Sequence, residues 1–422
     1  MGVSRPSLRR SIRSLPPAAW LLFLGNFINK FGSFVIVFLA LYVTREGYSA
    51  AQAGLALSAY GIGALISAPV GGQLADWLGR RNTIALSMFA AAAALLILSQ
   101  AGRLALIVPL AGLVGLTAEL YRPAAQALLA DLTPPGERVP AFAVNRLAVN
   151  LGFAAGPAVG GFLAERSFFL LFVGDALTSA AFGVMALLAL PEGRTAREGG
   201  RGANWVRAFL ADRDFLLFLG ASTLGALVIV QAFATFPLQV SARFSSAAYG
   251  ALISLNGLLV VLLELPIASI TQRRRPRRAM ALGLLLLGGG FGFTALAPTL
   301  ALLALAVTIW TLGEITFMPV AGAYVADVAP DDMRGRYQGA WGLTFGIAFV
   351  VGPAAGTVAY SLNPAVLWSA CAALGVAAAA LALASPRVSD RAPSGGDLGP
   401  AQPAPAPEEE QQPGADRGHR DE

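Results

Sequence analysis

Three ionisable side chains lie inside long apolar segments of this sequence. Lys30 is the sole lysine of the chain, and Glu119 and Glu314 lie in later apolar segments. Charges are costly in lipid and usually face a cavity or an opposite charge. A carboxylate that alternates between binding a proton and pairing with a cation can couple proton movement to another event. The same residues also fit a static salt bridge between helices, and Glu119 can instead pair with Arg122 three residues later.

Two further acidic residues within apolar segments are weaker candidates for a direct role. Glu264 lies near the end of its segment, where it can extend toward Arg273 or Arg274, and Asp175 is expected to join a polar network near the other side. Polar and aromatic residues that could line a cavity, or equally pack between helices, are Asn26, Asn29, Tyr60, Asn256 and Trp341.

The composition excludes several classes of protein. Hydrophobic residues make up 56% of the 422 residues and charged residues only 13%, about half the charged share of a soluble domain. The only cysteine is Cys371 and the only histidine is His419, which excludes an intrachain disulfide and a His/Cys metal cluster. No phosphate-binding loop and no catalytic constellation stands out, so we expect neither an ATP-driven pump nor an enzyme.

Apolar runs of about 20 residues, long enough to cross a bilayer, recur along the chain. They predict an all-α integral membrane protein with twelve transmembrane helices at 18–44, 51–77, 81–100, 104–130, 140–164, 168–190, 215–240, 247–271, 279–297, 300–326, 337–361 and 364–384. The first run is too long for a signal peptide, which indicates a retained helix.

The distribution of arginines predicts the topology. Nineteen arginines fall in connections on one side of the predicted membrane, whereas the other side has four. The positive-inside rule then places both termini in the cytoplasm and predicts a multi-pass protein of the inner (plasma) membrane. The net charge of +6 comes from these connections, so nucleic acid is not an expected partner. Lys30 and Glu119 would lie at similar depth, roughly 15 Å from the cytoplasmic side.

An internal repeat with an offset of 196 residues divides the chain in two. The matching pairs are Gly54 with Gly250, Asp131 with Asp327, Pro134 with Pro330, Arg138 with Arg334, Gly156-Pro157 with Gly352-Pro353, and Gly160 with Gly356. Glu314 is nearly equivalent to Glu119. We therefore predict two pseudo-symmetric six-helix bundles with a central cavity between them. The predicted units are an N-terminal segment (1–17), bundles at 18–190 and 215–384, a linker (191–214), and a disordered cytoplasmic tail (385–422).

The connection after the second predicted helix contains a compact motif with a physical rationale. It reads Gly72-Gln-Leu-Ala-Asp76-Trp-Leu-Gly79-Arg80-Arg81. Gly72 would allow a close approach of helices, and Gly79 would permit a tight turn. Asp76 could accept hydrogen bonds from a helix N-terminus, and Arg80 could reach a nearby carboxylate.

This motif resembles the G-x-x-x-D-x-x-G-R-[RK] signature of the major facilitator superfamily, at the position where that family has it. The resemblance extends over about residues 18–384. It implies that Asp76 meets the start of the eleventh helix and that Arg80 pairs with Asp131, which locks an outward-facing state. The second half retains only a remnant, in which Gln272 replaces the acid.

The fifth predicted helix contains a second motif, whose fixed positions are Gly152, Gly156, Pro157, Gly160 and Gly161. It resembles the family's antiporter signature, g-x-x-x-G-P-x-x-G-G, which implies export. Small residues four apart let helix backbones touch, and the proline removes a backbone hydrogen bond, so ordinary tight packing is the alternative explanation. The R-x-x-Q-G element of many drug antiporters is absent, since Ala111 and Val114 fill its positions.

These features favour a secondary active transporter that exports small, hydrophobic or drug-like molecules in exchange for protons by alternating access. The expected driving force is the proton gradient, with no cofactor, and the expected partners are substrate, protons and lipid, with the protein a monomer. A metabolite or sugar transporter of the same fold, by symport or facilitated transport, is the alternative, and a non-transporting membrane sensor is a third hypothesis.

Overall fold

The computed structural model describes residues 14–134, 137–192, 212–271, 274–329 and 333–385. Within these ranges twelve helices are long and apolar enough to cross a membrane, and they agree with the predicted spans to within a few residues. Gln272 and Arg273 lie outside the described residues. So do most of the predicted N-terminal segment, most of the predicted linker and all of the predicted tail except residue 385.

The first six spans form one bundle. They are α1 (Pro17–Phe31 and Phe34–Arg45), α2 (Ala50–Trp77), α3 (Arg80–Leu98), α4 (Leu104–Glu119 and Tyr121–Leu132), α5 (Arg138–Arg166) and α6 (Phe168–Ala189). Within this N-terminal half α2 packs against α4, α3 against α6, and α1 against α5.

The other six spans form the C-terminal half. They are α7 (Arg213–Ile229, Gln231–Ala234 and Phe236–Ser241), α8 (Ser246–Thr271), α9 (Pro276–Phe293, continued by a 3-10 turn at Thr294–Leu296), α10 (Leu300–Val328), α11 (Arg334–Leu362) and α12 (Pro364–Ala384). The two halves meet along α5–α8 and along α2–α11, which are equivalent pairs under the repeat.

Local sequence sets several helix ends. Ser49 and Gln52 form a reciprocal capping box at the start of α2. Ser167 caps α6, and Asn363, its counterpart at the repeat offset, caps α12 in the same extended conformation. The repeat is therefore visible in capping chemistry as well as in the arrangement of helices.

Prolines explain two of the helix breaks that the sequence prediction missed. A proline ring clashes with the carbonyl four residues earlier, and α4 breaks at Leu120 just before Pro123, while α7 breaks at Thr235 just before Pro237. The break in α4 separates Glu119 from the turn that contains Arg122. The break in α1 at Gly32 and Ser33 has no proline and depends on a side chain of α6, described below.

Two faces of the bundle are distinguished by their connections. The arginine-rich face contains the ends of α2, α4, α8 and α10 together with Arg80, Arg81, Arg138, Arg274 and Arg275. The opposite face contains the α1–α2, α5–α6 and α7–α8 connections. Since consecutive spans alternate in direction, α1 and α7 both begin at the arginine-rich face.

Candidate functional site

A cavity of about 910 Å³ lies between the two halves. Its wall includes Lys30 and Arg122 from the N-terminal half and Asn256 and Glu314 from the C-terminal half. It extends toward the arginine-rich face, because Gln126, Phe142 and Gln338 also line it and lie within about two helical turns of that face. Its aromatic lining includes Phe153, Phe233, Phe291 and Trp310. This volume is within the range of small-molecule sites.

The N-terminal wall contains a three-residue ion network. Lys30 Nζ lies 3.1 Å from Glu119 Oε1, and Arg122 Nη1 lies 3.0 Å from Glu119 Oε2. The side chains of Lys30 and Glu119 are only 17% and 14% exposed, whereas that of Arg122 is 60% exposed. The interhelical pair and the local pair that the sequence offered as alternatives are therefore both present. One carboxylate balances two cations, so the network has a net positive charge.

The C-terminal wall holds its carboxylate differently. Asn256 donates hydrogen bonds from Nδ2 to Glu314 Oε2 at 3.0 Å and to Thr311 Oγ1 at 2.9 Å. Within the described ranges Glu314 has no ion-pair partner closer than 4 Å. Its hydrogen-bond partner is neutral, and Arg146 of the other half lines both the central cavity and the adjoining one described below, as Glu314 does.

Arg146 of α5 forms an ion pair with Glu264 of α8 across the two halves. Glu264 therefore pairs across the halves and not with Arg274, and Arg273, the other partner that the sequence analysis considered, lies outside the described residues. Arg146 and Glu264 both lie about two turns from the arginine-rich ends of their helices, and this equal depth was the sequence signal for the pair. An adjoining cavity of about 560 Å³ is lined by Arg146, Glu264, Glu314 and Trp341.

Asp175 lies apart from the central cavity and occupies the break in α1. Its carboxylate accepts a hydrogen bond from the Val35 backbone N–H at 3.0 Å, so it caps the second segment of α1 from α6. A small polar pocket of about 20 Å³ separates it from Lys30 and also contains Asn29 and Tyr60. Of the two arrangements that the sequence left open for Asn29 and Tyr60, the structure has packing within the N-terminal bundle, because both line this small pocket and not the central cavity.

The remaining predicted cavity residues are divided between packing and the cavity wall. Asn26 lines the central cavity and donates to Asn145 Oδ1 of α5 at 2.6 Å. Asn145, which the sequence analysis did not single out, is thus a polar part of the same wall. Trp341 packs against Phe345 and Phe218, and its buried indole N–H has no hydrogen-bond partner among the described residues.

The motif after α2 lies at the arginine-rich face. Arg80 forms an ion pair with Asp131 and donates to the Ala127 carbonyl at 3.2 Å, and Arg81 lies 2.6 Å from Glu192. Gly79 has a φ of +83°, which a residue with a side chain rarely adopts. Through these contacts the start of α3 holds the end of α4, at Ala127 and Asp131, and the connection that follows α6, at Glu192.

Two residues of this motif differ from expectation. A Cβ on Gly72 would meet no atom within 4 Å, whereas one on Gly71 would overlap the Leu120 carbonyl, so Gly71 makes the close helix approach that was predicted for Gly72. Asp76 is exposed and makes no hydrogen bond or ion pair with a described residue, whereas the close α2–α11 contacts involve Gly54, near the opposite face, and Gly61, about midway along α2. The side chains of the first two residues of α11 lie outside those that the structure describes.

The glycines of the α5 motif bring three backbones together. A Cβ on Gly152 or Gly156 would collide with α1 at Phe27 or Phe31, and one on Gly160 with Phe34 and Phe38. Gly161 instead faces Ser246 and Gly250 of α8. The helix continues through Pro157 without a break. The motif therefore packs α5 against both α1 and the other half.

The opposite face is closed by two contacts related by the repeat. A Cβ on Gly250 would overlap the Pro157 carbonyl, and a Cβ on Gly54 would lie 2.7 Å from the Pro353 carbonyl. These are the glycines and prolines that match at the 196-residue offset. The α5–α8 contact is reinforced by a hydrogen bond from Arg45 Nη2 to Ser246 Oγ at 3.1 Å. The cavity is thus sealed at the opposite face.

The sequence matches the model of the Major Facilitator Superfamily over residues 22–249 and 222–411. An uncharacterised MFS-type transporter of Bacillus subtilis, YqjV, is 25% identical over 361 residues, covering 83% of this chain and 88% of that protein. A Na(+), Li(+), K(+)/H(+) antiporter of Planococcus maritimus is 25% identical over 363 residues, covering 78% and 85%. The quinolone resistance protein NorA of Staphylococcus aureus is 27% identical over 169 residues, covering 40% and 41%.

Solved structures share the fold. The peptide transporter POT in complex with sulfate superposes with a TM-score of 0.75 and 19% identity, covering 91% of this chain and 99% of that chain. The nucleoside transporter NupG superposes with a TM-score of 0.74 and 18% identity, covering 88% and 99%.

Proposed function

The chain belongs to the major facilitator superfamily and is a multi-pass membrane transporter rather than an enzyme, and we propose that it exports small amphipathic molecules in exchange for protons. The observation that supports this most directly is the central cavity. It reaches the arginine-rich face, is sealed at the opposite face, and has on its wall a half-buried carboxylate, that of Glu314, with neutral partners. The similarity to a Na(+), Li(+), K(+)/H(+) antiporter supports exchange for protons, and the similarity to a quinolone resistance protein supports a drug-like substrate.

Glu314 is the better candidate for carrying the proton. Protonation of Glu119 would leave Lys30 and Arg122 in the membrane without their counter-charge, which is costly. Protonation of Glu314 leaves no unpaired cation beside it, because Asn256 can remain hydrogen-bonded to the neutral acid. Glu119 is then the fixed charge of the N-terminal wall, and Glu314 is the group that gains and loses a proton during transport.

Alternating access follows from the two seals. In the conformation described here the glycine contacts of α5–α8 and α2–α11 close the opposite face. Rocking of one half against the other would separate these contacts and close the arginine-rich face, where Asp76 would then meet α11. Arg80 and Asp131 would hold the connection after α2 in place for that contact, and the α5 glycines would let α5 move against α1.

The arginine distribution supports an orientation with the arginine-rich face and both termini in the cytoplasm, in the inner (plasma) membrane. The cavity in this structure would then be open to the cytoplasm, ready to load an exported molecule. The proton gradient supplies the energy, so the cycle requires no bound cofactor, and a single chain contains the whole cavity, consistent with a monomer.

The test uses everted membrane vesicles energised by respiration and containing a pH-sensitive dye. Lipophilic cations, neutral antibiotics, zwitterionic antibiotics and sugars are added in turn, and substrate-dependent proton release is measured. We expect release with wild type, its loss in Glu314→Gln, and wild-type behaviour in Glu46→Gln, an exposed acid on the opposite face. Persistent release in Glu314→Gln would refute Glu314 as the proton carrier.

The same vesicles distinguish other functions on this fold. Uptake of a sugar without proton release would support a facilitator, and no response to any compound would argue against export. Proton release on addition of Na⁺ or K⁺ alone would support antiport of a monovalent cation, the second candidate. The similarity over most of both chains to the Planococcus antiporter favours that candidate.

A further inference from the structure

The two walls of the central cavity carry opposite charge. On the N-terminal wall Lys30 and Arg122 share the single carboxylate of Glu119, which leaves one net positive charge. On the C-terminal wall Glu314 has no cation within ion-pair distance among the described residues. Arg146 and Glu264 neutralise each other across the halves. A ligand that fills the cavity therefore meets one unmatched charge of each sign.

The unmatched groups can reach a ligand. The Arg122 side chain is 60% exposed and uses Nη1 for Glu119, which leaves guanidinium N–H groups directed to the cavity that it lines. A guanidinium binds carboxylates with two parallel hydrogen bonds. On the other wall Glu314 is partly exposed, and its Oε1 accepts no hydrogen bond from a described residue.

The surface between the charged groups is aromatic. Phe153 and Phe233, which are half-buried, line the same cavity with the almost fully buried Phe291 and Trp310, and exposed aromatic rings bind flat apolar or aromatic bodies. A ligand that carried only a cation would leave the positive N-terminal wall unmatched. A ligand that carried only an anion would leave Glu314 unmatched.

We propose that the transported molecule is a zwitterionic amphiphile, whose carboxylate (or similar anionic group) binds at Arg122 and Lys30 and whose ammonium group binds at Glu314, with an aromatic body between. This inference rests on the proposed function, because it names the substrate class of that cavity. It also supplies a reason for exchange: the ammonium group and a proton compete for the same carboxylate, so substrate loading displaces the proton.

The test measures binding to the purified full-length protein in detergent, without a proton gradient. The probes are norfloxacin, which has a free carboxylate and a free piperazine amine, its ethyl ester, its N-acetyl derivative, and the derivative with both groups blocked. Their shared fluorophore reports binding. We expect the zwitterion to bind about tenfold more tightly than either singly blocked compound, because each blocked compound loses one charged contact; tenfold corresponds to about 1.4 kcal/mol.

Variants on the two walls should weaken the binding of different probes. Arg122→Gln should weaken the zwitterion and the anionic N-acetyl compound about tenfold and leave the cationic ester unchanged, whereas Glu314→Gln should weaken the zwitterion and the ester and leave the N-acetyl compound unchanged. Lys30→Gln repeats the first pattern. Arg103→Gln and Glu46→Gln, exposed on the opposite face, are the matched controls.

Equal affinity for the four probes, or no binding of the zwitterion, would overturn the inference, as would variants that weaken all probes alike. Proton release by unrelated compounds in vesicles, with no charge preference in binding, would leave proton-driven export standing and refute only the zwitterionic substrate. The expected charge-dependent binding pattern without proton release in vesicles would support the zwitterionic substrate and refute only proton-driven export.

Discussion

The two halves repeat one six-helix plan, but they hold their central carboxylates in different ways. Glu119 in the N-terminal half is fixed by Lys30 and Arg122, whereas Glu314, nearly its repeat equivalent, has Asn256 as its partner. The N-terminal half also contains the intact motif after α2. The comparison indicates a division of roles, in which one half supplies fixed charge and the other a carboxylate that is free to exchange a proton.

A second comparison concerns what the halves still share. The contacts of Gly54 with Pro353 and of Gly250 with Pro157 are equivalent under the repeat, and both lie at the opposite face. Symmetry is thus retained where the halves must meet and separate, and it is lost where they bind charge. The predictions below test this contrast, from the largest expected effect to the smallest.

Gly54→Val and Gly250→Val should each abolish transport. The added Cβ would collide with a backbone carbonyl of the other half, and backbone cannot yield as a flexible side chain does. The opposite face then cannot close. We expect a loss of at least about a hundredfold in transport, equivalent to roughly 3 kcal/mol against the closed state.

Spin labels on Glu46→Cys and Ala242→Cys, repeat-equivalent positions on that face, check this outcome in a Cys371→Ala background. The distance between the labels should increase in both variants. Gly289→Val, where a Cβ meets no atom within 4 Å, is the control and should behave as wild type. A large effect of one seal glycine without the other would show that the two contacts are not equivalent.

Glutamine at Glu119 should destabilise the fold, whereas glutamine at Glu314 should not. Glu119→Gln leaves Lys30 and Arg122 without a counter-charge, and we expect a loss of about 2–4 kcal/mol, reduced from a fully buried pair because Arg122 is exposed. Glu314→Gln retains a side-chain oxygen for Asn256 and should cost less than about 1 kcal/mol. Thermal unfolding in detergent measures both, and equal losses would contradict the assigned roles.

Asparagine at Asp131 should slow transport, whereas asparagine at the repeat-equivalent Asp327 should not. Asp131 pairs with the buried Arg80, while Pro276 occupies the equivalent of Arg80 and Asp327 is exposed. Loss of the ion pair should lower the initial rate in proteoliposomes about tenfold, or roughly 1.4 kcal/mol. Equal rates for the two variants would show that the intact motif has no special role.

Hydropathy and arginine counts predicted the twelve spans because both depend on the length and ends of each segment. They also placed Lys30 and Glu119 at equal depth, and the structure brings the two together. Depth alone cannot give the rotation of a helix about its axis, so the sequence could not decide whether Tyr60 and Asn29 line the central cavity or pack within the bundle. Equal depth was compatible with the pairing of Arg146 with Glu264 but could not choose it over Arg274, and the capping of α1 by Asp175 depends on a tertiary contact that the local pattern does not encode.

Phenylalanine at Tyr249 should have the smallest effect and separates the seal from simple stability. The Tyr249 hydroxyl lies 3.0 Å from the carbonyl oxygens of Val37 in α1 and Ala232 in α7, so its hydrogen bond is made at the boundary between the halves. Its ring also packs edge-on against Phe38, a contact that phenylalanine preserves. Loss of the hydroxyl should shift the balance toward an open opposite face by about 1 kcal/mol, or roughly fivefold.

The matched control is Tyr48→Phe, which removes a hydroxyl that accepts from Leu104 and donates to Gly102 within the N-terminal half. Both variants should lower the unfolding temperature slightly. Only Tyr249→Phe should shift the distribution of distances between the labels at positions 46 and 242 toward longer values. Because the hydroxyl has no equivalent at Ala53, its repeat counterpart, such a shift would show that the α5–α8 side closes more tightly than the α2–α11 side. An unchanged distance would mean that the glycine contacts alone maintain the closed face, and that the symmetry of the seal is complete.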